Sequence, residues 1–484
     1  MVDMSATIIH HGHIRLLEKA SKYGDVIVAL TSDNEVLKHK GYLPELDFNY
    51  RKEILESIKY VKKVVPSFWK LNDDFLKKNK IDLLVHGEDN SNEIDEKKLL
   101  ILPRTKGVAS SELRKKSAAI VKKIKKNILL NPGPATTTDT VKYAQVVPDI
   151  CPREKEFGDL MYNLSNEITS FATKSPENYT TVFFGGSGTA SVEAVISSVL
   201  TKQCKLLIIN NGSYAERIHE ISKVYNLDVY NLVLEPFKDF DISFIEELVI
   251  KKRITHVAIV HNETSTGRLN ELEAFSKLSD KYGFKLIVDA MSSFGAIEID
   301  VKDLNIDYLC SSSNKNIQGM AGISFVIANK NSLESIRNND RKNYYLDLYA
   351  QYDFFNKKRQ LRFTPPVQSF YALKQAIFEL KKEGIKSRFK RYSENWYYII
   401  KNLSNLGFEQ EFQNDKSSKI ITVFRLPKKI KFKELHDKLL KKNITIYPSK
   451  YDTDTFRIAN IGNINKKDLE RFTDAIKKIT ENVG

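Results

Sequence analysis

One lysine, one aspartate and one glycine-rich loop are placed along the chain so that they could cooperate in a single site. Asp289 follows an apolar run in "KLIVDAMSSFG", and Lys315 lies among small polar residues in "SSSNKNIQG". The loop 185–189 of "GGSGTASVEA" leads into a predicted helix, whose free N–H groups would suit a phosphate. Open α/β sheets bind ligands at the carboxyl ends of their strands, which is where Asp289 falls. Each feature alone is ordinary, but a phosphate loop, a strand-end aspartate and a later lysine together suggest pyridoxal phosphate chemistry.

A second candidate site lies in "IIHHGHIRLLEKA", where His10 and His13 bracket Gly12 at the turn into a helix. Gly12 allows a phosphate to approach the backbone, and the helix N-terminus faces it. Zinc would require further ligands at metal spacing, and no Cys or His partner follows nearby. We therefore predict that His10 and His13 donate hydrogen bonds to a transferring phosphoryl group, and that His11 is not catalytic.

The elements that must position these residues alternate between helices and apolar strands. In the first part of the chain, "IRLLEKASKYG" is helical, and "DVIVALTSD" and "IDLLVHGED" are buried-strand patterns. This alternation predicts a parallel, doubly wound sheet over residues 1–115. We predict that residues 116–127 form a basic linker helix and that α/β patterning resumes over residues 128–484, with a small subdomain at about 380–484.

Composition narrows the possible classes of function. The chain has 484 residues, of which 42% are hydrophobic and 28% charged, as in soluble proteins of two or three domains. It contains neither an apolar run long enough for a membrane span nor a signal-peptide pattern. Its cysteines are Cys151, Cys204 and Cys310, so a disulfide framework is not expected and the protein is predicted to be cytoplasmic.

The formal net charge of +15 allows three interpretations. The charge could bind nucleic acid, it could reflect a lysine-rich composition spread over every surface, or it could attract polyanionic substrates into a basic cleft. The chain has no basic tail, Gly/Arg-rich tract or zinc-finger spacing, so nucleic acid ranks last.

Residues from about 127 to 484 resemble the class V, fold-type-I aminotransferases, and within them the 2-aminoethylphosphonate–pyruvate transaminases. The resemblance rests on "LLNPGPATTT", "FFGGSGTASVEA", "HNETSTGRLN", "VDAMSSFG", "SSSNKNIQG", "LDLYAQ", "RFTPP" and "FRIANIG" in order. It implies a large α/β domain and a small α+β domain. Asn262 and Ser265 stand where the family pattern has serine and threonine, so each departure replaces one small polar residue by another.

The same resemblance assigns roles to individual residues. It implies that Lys315 holds pyridoxal 5′-phosphate covalently and moves the substrate proton, and that Asp289 pairs with the pyridine nitrogen. Arg457 is implied to bind the substrate carboxylate or phosphonate, for which its planar fork is suited. Thr364 is implied to act from a neighbouring subunit, which predicts a homodimer. The other implied cofactor contacts are Ser187, Gly188, Thr189, Tyr214 and Thr264.

Residues 1–115 resemble the HxGH nucleotidyltransferases, in particular the glycerol-3-phosphate cytidylyltransferase group, which implies a Rossmann-like fold. "HHGHIRLLEKASKYGDVIVALTSD", "YRKEILESIKYVKKVVP", "VHGED" and "LPRTKGVASSELR" occur in family order. By this resemblance His10 and His13 stabilise the CTP phosphates during in-line transfer. The residues implied to bind nucleotide or acceptor are Lys40, Arg51, Asp89, Arg104, Ser110 and Ser111, with Asp89 also a candidate Mg²⁺ ligand.

Two departures from this second pattern matter. The family turn of the Gly-Thr-Phe-Asp type is replaced here by residues 4–7, so that Thr7 stands in place of the aspartate. Asn90 occupies a position that is aromatic in glycerol phosphate enzymes, which argues against glycerol phosphate as acceptor.

Together the two resemblances predict a bifunctional enzyme of phosphonate biosynthesis. The transaminase half would convert phosphonoacetaldehyde and alanine into 2-aminoethylphosphonate and pyruvate. The other half would join 2-aminoethylphosphonate to CTP, with Mg²⁺, releasing pyrophosphate. The alternatives are a polyol or amino-alcohol phosphate as acceptor, or an inactive nucleotide-binding regulator, which Thr7 would explain. The expected partners are these small molecules, without nucleic acid or a membrane span.

Overall fold

A computed structural model of the protein describes residues 1–103, 110, 124–412 and 415–481. The chain divides into two compact units, Met1–Lys125 and Lys126–Gly484. Arg104, Ser111 and residues 116–123 of the predicted linker helix lie outside the described residues. In the part of the chain that is described, no helix combines the length and apolar character needed to cross a membrane.

The first unit is built on a five-stranded, all-parallel sheet with the strand order β3-β2-β1-β4-β5. This order and direction confirm the Rossmann-like prediction. The strands are β1 (Val2–Met4), β2 (Val26–Thr31), β3 (Val61–Ser67), β4 (Leu84–Gly87) and β5 (Leu99–Leu102). The described helices are α1 (His11–Ala20), α2 (Asp33–Lys40), α3 (Phe48–Glu56) and α4 (Asp73–Lys78).

Strand β1 is short but central, which explains its buried apolar character. It pairs with β2 on one side and β4 on the other, and all of its residues are buried. Val2 joins Val28, Leu30 and Val85 in the hydrophobic core, against which Leu17 of α1 also packs. The core therefore fixes the end of β1 and the start of α1, where the histidines lie.

The second unit has a seven-stranded sheet with the order β7-β15-β14-β13-β10-β8-β9. Strand β15 runs antiparallel to both of its neighbours, and the other pairs in the sheet are parallel. The strands are β7 (Tyr179–Gly185), β8 (Lys205–Asn210), β9 (Asp228–Val233), β10 (His256–Val260), β13 (Lys285–Asp289), β14 (Tyr308–Ser312) and β15 (Ile323–Asn329). A separate antiparallel pair is formed by β11 (Asn262–Glu263) and β12 (Arg268–Leu269).

Helices cover both faces of this sheet. Alternate strand residues face opposite sides, so that Leu207 and Ile209 belong to one core cluster and Leu206 and Ile208 to the other. The helices are α5 (Asp139–Tyr143), α6 (Lys155–Ala172), α7 (Gly188–Val199), α8 (Ser213–Val224), α9 (Ile242–Lys252), α10 (Leu272–Tyr282), α11 (Lys330–Ser335), α12 (Leu348–Lys358) and α13 (Val367–Glu383). The two-sided covering confirms the α/β prediction for this region.

The rest of the second unit forms a small α+β subdomain. Its antiparallel sheet has the order β16-β17-β20-β19, with β16 (Glu409–Gln410), β17 (Ile421–Arg425), β19 (Tyr447–Pro448) and β20 (Thr455–Ala459). Its helices are α14 (Ile385–Ser404), α15 (Phe432–Leu440) and α16 (Lys466–Glu481). In addition β6 (Ile128–Leu129) pairs in parallel with β18 (Ile444–Thr445), so the first residues of this unit pack with its last subdomain.

Candidate active sites

The carboxyl edge of the seven-stranded sheet brings the predicted lysine and aspartate together. Asp289 is the last residue of β13 and is paired in register with Cys310 of β14. Lys315 follows a few residues after β14, in the turn beyond it. Asp289 is buried and Lys315 is half-buried, and each lowers the electrostatic cost of charging the other.

The Lys315 ammonium is held against the backbone and is easily deprotonated. Nζ donates a hydrogen bond to the carbonyl of Pro132 at 2.5 Å. Burial lowers the pKa of Lys315 to about 8, although Asp289 opposes this shift, while Arg217 and Arg457 add to it. Glycine is favoured at position 133, because its φ is +137° and a Cβ there would lie 2.4 Å from Nζ. An amine with this pKa is suited to form a covalent bond with an aldehyde.

Asp289 supplies the buried negative charge that a protonated pyridine ring needs. Burial raises the pKa of its carboxyl to about 6, and the hydrogen bond from the Met291 N–H at 3.0 Å opposes that rise. A cationic N–H bound to this carboxylate would offset the free-energy cost of burying the Asp289 charge. The residue therefore fits the pyridine nitrogen of pyridoxal phosphate.

The phosphate loop lies at the start of α7. Ser187 is the N-cap residue in an extended conformation, and Gly188 begins the helix. Gly186 has a φ of +151°, and a Cβ on Gly188 would lie 2.4 Å from the Met291 sulfur, so both positions favour glycine. Thr189 Oγ1 accepts a hydrogen bond from Arg217 Nη1 at 3.2 Å, which adds a cation to this end of the site. These residues fit a phosphate group.

Arg457 lies in the centre of the small subdomain sheet, on β20, and its side chain is buried. Its Nε donates to the Pro448 carbonyl at 3.1 Å and its Nη1 to the Thr264 carbonyl at 3.4 Å. Thr264 is also buried, and its hydroxyl is 2.8 Å from Ser292 Oγ. The structure thus joins Arg457 and Thr264 across the large and small subdomains, close enough for Arg457 to affect the pKa of Lys315.

Tyr214 lies at the start of α8 beside two cations that the sequence analysis missed. Arg217 Cζ is 4.8 Å and Lys450 Nζ is 5.1 Å from the centre of the Tyr214 ring. Arg217 is one helical turn beyond Tyr214 in "GSYAER", a spacing that was available as a signal. Lys450 lies in a loop far along the chain, and no local pattern identifies it.

Glu263 is a third residue that sequence reasoning missed. Its buried carboxylate accepts hydrogen bonds from the N–H groups of Ser265 at 3.0 Å, Ala215 at 3.3 Å and Tyr214 at 3.3 Å. Burial raises the pKa of Glu263, and these hydrogen bonds oppose the rise. Glu263 therefore caps α8 from outside the helix and fixes the start of the segment that carries Tyr214.

In the first unit, a cavity of about 600 Å³ opens where β1 ends and α1 begins. Its wall combines basic, acidic and aromatic side chains. The lining residues include Asp3, Ser5, His10, His13, Thr31, Lys40, Trp69, His86, Asp89, Asn92 and Ser110.

His10 and His13 close a reciprocal cap on α1. The Gly12 N–H donates to His10 Nδ1 at 3.2 Å, and the His10 N–H donates to His13 Nδ1 at 3.3 Å. The ring centres are 4.0 Å apart. Because Nδ1 accepts in both rings, the proton of each neutral ring belongs on Nε2. Both histidines line the cavity, so they have the arrangement needed to donate to an anion there.

Of the two predicted cationic ligands Lys40 and Arg51, only Lys40 lines the cavity. Lys40 lines the cavity, and its Nζ donates to Ser5 Oγ at 2.6 Å. We expected Arg51 to be a ligand as well, but the structure places it behind the cavity wall and completely buried. Its guanidinium donates to the carbonyls of Ser5 at 2.5 Å and Thr31 at 3.0 Å, and to Asp33. Arg51 therefore supports the wall rather than facing the cavity.

The other predicted residues of this site also take definite positions. Asp89 lines the cavity, and Ser110 Oγ donates to the Ile8 carbonyl at 3.1 Å. Among the described residues, no group of three or more His, Cys, Asp or Glu side chains is arranged to hold a metal ion, so the Mg²⁺ role of Asp89 stays a prediction. Thr7 is buried directly after Ala6, whose φ is +39°.

Comparison with known proteins assigns the two parts of the chain separately. Residues 138–447 match the model of the family described as aminotransferase class-V, and residues 5–139 match the family described as cytidylyltransferase-like. A 2-aminoethylphosphonate–pyruvate transaminase of Bacillus cereus (strain ATCC 14579) is 41% identical over 356 residues, covering 72% of this chain and 97% of that protein.

A bifunctional phosphonoacetaldehyde hydrolase/aminoethylphosphonate transaminase of Clostridioides difficile (strain 630) is 42% identical over 357 residues. That match covers 72% of this chain but only 56% of the relative, so the similarity does not extend over the relative's full length.

Solved structures support the fold of the second unit. Ureidoglycine–glyoxylate aminotransferase from Bacillus subtilis has a TM-score of 0.69 at 23% identity, covering 74% of this chain and 94% of that one. Alanine–glyoxylate aminotransferase from Nostoc sp. also has a TM-score of 0.69 at 23% identity, and the match covers 74% of this chain and 96% of that one. The chain therefore belongs to the class-V aminotransferase family and carries a cytidylyltransferase-like N-terminal domain.

Proposed function

We propose that this protein is a bifunctional enzyme that makes and activates 2-aminoethylphosphonate. The second unit transfers the amino group of L-alanine to phosphonoacetaldehyde, giving 2-aminoethylphosphonate and pyruvate. The first unit then joins 2-aminoethylphosphonate to CTP, giving CMP-2-aminoethylphosphonate and pyrophosphate. The observation that carries the first step is the pair of Lys315 and Asp289 at one sheet edge, in a chain that is 41% identical to a transaminase of this substrate class.

The residues of the second unit divide the work of transamination. When bound, pyridoxal phosphate withdraws electrons from the substrate carbon that gains or loses a proton. Lys315 is the residue that would hold the cofactor covalently and, once displaced, move that proton through Nζ. Asp289 keeps the pyridine nitrogen protonated, while Ser187, Gly188 and Thr189 hold the phosphate.

The residues of the first unit suit an in-line cytidylyl transfer. A phosphonate oxygen attacks the α-phosphorus of CTP, and the bond from that phosphorus to the oxygen bridging to the β-phosphate breaks, so that pyrophosphate leaves. The protein contributes positioning and neutralisation of charge, without a covalent enzyme intermediate. His10 and His13 donate from Nε2, and Lys40 adds a positive charge to the same cavity.

The acidic side of the cavity favours an acceptor that carries an amine. Asp3 lines the cavity and is buried, and its carboxylate accepts from Asn92 Nδ2 at 2.9 Å and lies 3.7 Å from His86 Nε2. Burial raises the pKa of Asp3, so a cationic partner would favour its charged form. Trp69 also lines the cavity, but its ring stacks on His39 and lies 5.4 Å from Lys40 Nζ, so the case for an amine rests on Asp3. An ammonium group fits this side better than the hydroxyl groups of a polyol phosphate.

One observation favours a second candidate function for the first unit. Thr7 is buried where the related enzymes carry an aspartate, and its hydroxyl makes no hydrogen bond to any part of the protein that the structure describes. If that carboxylate is essential, the domain binds nucleotide without catalysis and acts as a regulator. The fused transaminase then still makes 2-aminoethylphosphonate, but the activation step belongs to another enzyme.

A homodimer of the aminotransferase unit is part of the proposal. Thr364 is exposed on the single chain, next to Phe363, whose ring stacks on Tyr345 at 5.0 Å. Tyr344 in the same aromatic group is 73% exposed. A second copy covering this group would bury it and bring Thr364 to the neighbouring phosphate site.

The experiment that tests the activating step uses the purified protein with CTP, Mg²⁺ and 2-aminoethylphosphonate. Pyrophosphate release and a new ³¹P signal of a phosphonate–phosphate anhydride are expected. Ribitol phosphate and glycerol phosphate are the comparison acceptors, and phosphoethanolamine represents the amino-alcohol phosphates. Release only with one of these would overturn the acceptor, and release with none of the four would favour the regulator.

A further inference from the structure

The loop between β19 and β20 of the small subdomain lies against the aminotransferase site. Tyr451 of this loop places its hydroxyl 2.7 Å from Ser265 Oγ and accepts from the Ser213 N–H at 3.2 Å. Ser265 is in turn hydrogen-bonded to Glu263, which caps α8. The loop is therefore docked on the same group of residues that fixes the start of α8.

This docking places Lys450 in the site. Its Nζ is 5.1 Å from the centre of the Tyr214 ring. Lys450 is exposed as a residue, and partial desolvation together with the positive charges of Arg217 and Arg457 lowers its pKa, while the charge of Glu263 opposes this shift. A cation kept near two others, at an electrostatic cost, is a feature expected where an anion binds.

The cations of the site come from both subdomains, and Arg217 and Lys450 meet at the Tyr214 ring. Arg217 contacts Thr189 in the phosphate loop, which assigns it to the end that would hold the cofactor phosphate. Arg457 and Lys450 both come from the small subdomain, one on β20 and the other in the loop before it. The carboxylate of Glu263 accepts hydrogen bonds from backbone N–H groups, and it offsets part of the electrostatic cost of charging Lys450.

The charge at the small-subdomain end exceeds what a carboxylate requires. An arginine alone can hold a carboxylate through two parallel hydrogen bonds. A phosphonate has a third oxygen and a second negative charge, which a neighbouring lysine can bind as a point charge. The two substrates of the proposed transaminase differ in this respect, since alanine carries only a carboxylate.

We propose that Lys450 is the residue that selects the phosphonate substrate, by binding the phosphonate oxygens together with Arg457. This inference rests on the proposed transaminase function and adds to it a discrimination between phosphonates and carboxylates. Tyr451 is a positioning residue, because its hydrogen bonds to Ser265 and Ser213 hold the loop that carries Lys450.

The test compares Lys450→Gln with Lys450→Arg and with Lys428→Gln, which removes the same charge from an exposed position of the small subdomain. In Lys450→Gln, kcat/KM for 2-aminoethylphosphonate is expected to fall about tenfold or more, as for the loss of one charged hydrogen bond. The value for alanine should change less than about threefold, since its carboxylate stays with Arg457. Lys450→Arg restores most of the loss, and Lys428→Gln behaves as wild type.

A binding measurement keeps the result independent of turnover. Calorimetry of the cofactor-loaded protein with ethylphosphonate and with propionate is expected to show weaker binding of ethylphosphonate alone in Lys450→Gln. Equal losses for both anions, or no loss for either, would overturn the role of Lys450. A weaker affinity for pyridoxal phosphate would assign Lys450 to the cofactor and also overturn it. If wild type does not transaminate 2-aminoethylphosphonate at all, the proposed function fails instead.

Discussion

The half-buried ammonium of Lys315 and the buried carboxylate of Asp289 stabilise each other's charged forms at one edge of the seven-stranded sheet. Asp289 raises the pKa of Lys315, and Lys315 lowers that of Asp289, but burial outweighs both effects. As a result the lysine has a pKa of about 8 and the aspartate one of about 6. The lysine therefore loses its proton easily, and a cationic partner would stabilise the charged form of the neighbouring carboxylate.

Replacement of the lysine tests this pair first. Lys315→Ala is expected to lose the absorbance band of covalently bound cofactor and to lower transamination by about a thousandfold or more. Cytidylyl transfer should be unchanged, because its residues belong to the other unit. Retention of the absorbance band would show that another amine holds the cofactor.

The pH dependence of cofactor loading tests the electrostatics of the same pair. Only the neutral amine attacks an aldehyde, so the rate at which cofactor-free protein binds pyridoxal phosphate should rise through about pH 8. Asp289 opposes the lowering of the pKa of Lys315, so Asp289→Asn should move this midpoint to lower pH. Stopped-flow absorbance measures both profiles. A midpoint that moves upward in the variant would contradict the stated interaction.

The histidine pair has its own test in the first unit. His10→Ala and His13→Ala should each reduce cytidylyl transfer by about 10²–10³-fold, the cost of losing one donor to a transition-state charge. His11→Ala is the matched control, because we predict no catalytic role for this residue. Pyrophosphate release measures the rates, while the transaminase activity of all three variants should equal wild type. An equal loss in His11→Ala would refute the assignment.

Asp3 tests the identity of the acceptor. Asp3→Asn should raise the KM for 2-aminoethylphosphonate about tenfold or more, and leave the KM for CTP unchanged, because the carboxylate is assigned to the amine. Ethylphosphonate has no amine, so we expect it to be a poor acceptor with the same KM in the wild-type protein and in Asp3→Asn. A similar loss with both acceptors would mean that Asp3 supports the cavity instead of binding the amine.

Arg51 has a structural role that stability measurements test. Arg51→Met should destabilise the first unit by about 3–5 kcal/mol, because it removes a buried cation from Asp33 and from two backbone carbonyls. In a Trp396→Phe background, fluorescence of Trp69 reports urea unfolding of this unit alone. Lys52→Met, an exposed neighbour on α3, should change the free energy of unfolding by less than about 0.5 kcal/mol.

The fold and the placement of several site residues follow from local sequence patterns. The strand run that ends at Asp289 and the glycines before Thr189 predict the sheet edge and the helix start that the structure contains. These signals are local, because a strand pattern or a helix N-terminus can be identified from fewer than about ten consecutive residues.

Other features depend on contacts between distant parts of the chain, and the sequence does not reveal them. Arg51 is polar and lies in an amphipathic helix, so its burial follows only from the carbonyls of Ser5 and Thr31 that it contacts. Lys450 reaches Tyr214 only because Tyr451 docks on Ser265. Likewise the pairing of β6 with β18 joins two ends of one unit, which composition cannot indicate.

A single ³¹P NMR experiment follows both reactions when the purified protein is supplied with phosphonoacetaldehyde, L-alanine, pyridoxal phosphate, CTP and Mg²⁺. We expect 2-aminoethylphosphonate to appear first and then to be converted to a CMP-phosphonate anhydride with release of pyrophosphate. Lys315→Ala should form the anhydride only when 2-aminoethylphosphonate is added, and His10→Ala should accumulate 2-aminoethylphosphonate. Consumption of phosphonoacetaldehyde and alanine with CTP left intact in the wild-type protein would contradict the central claim.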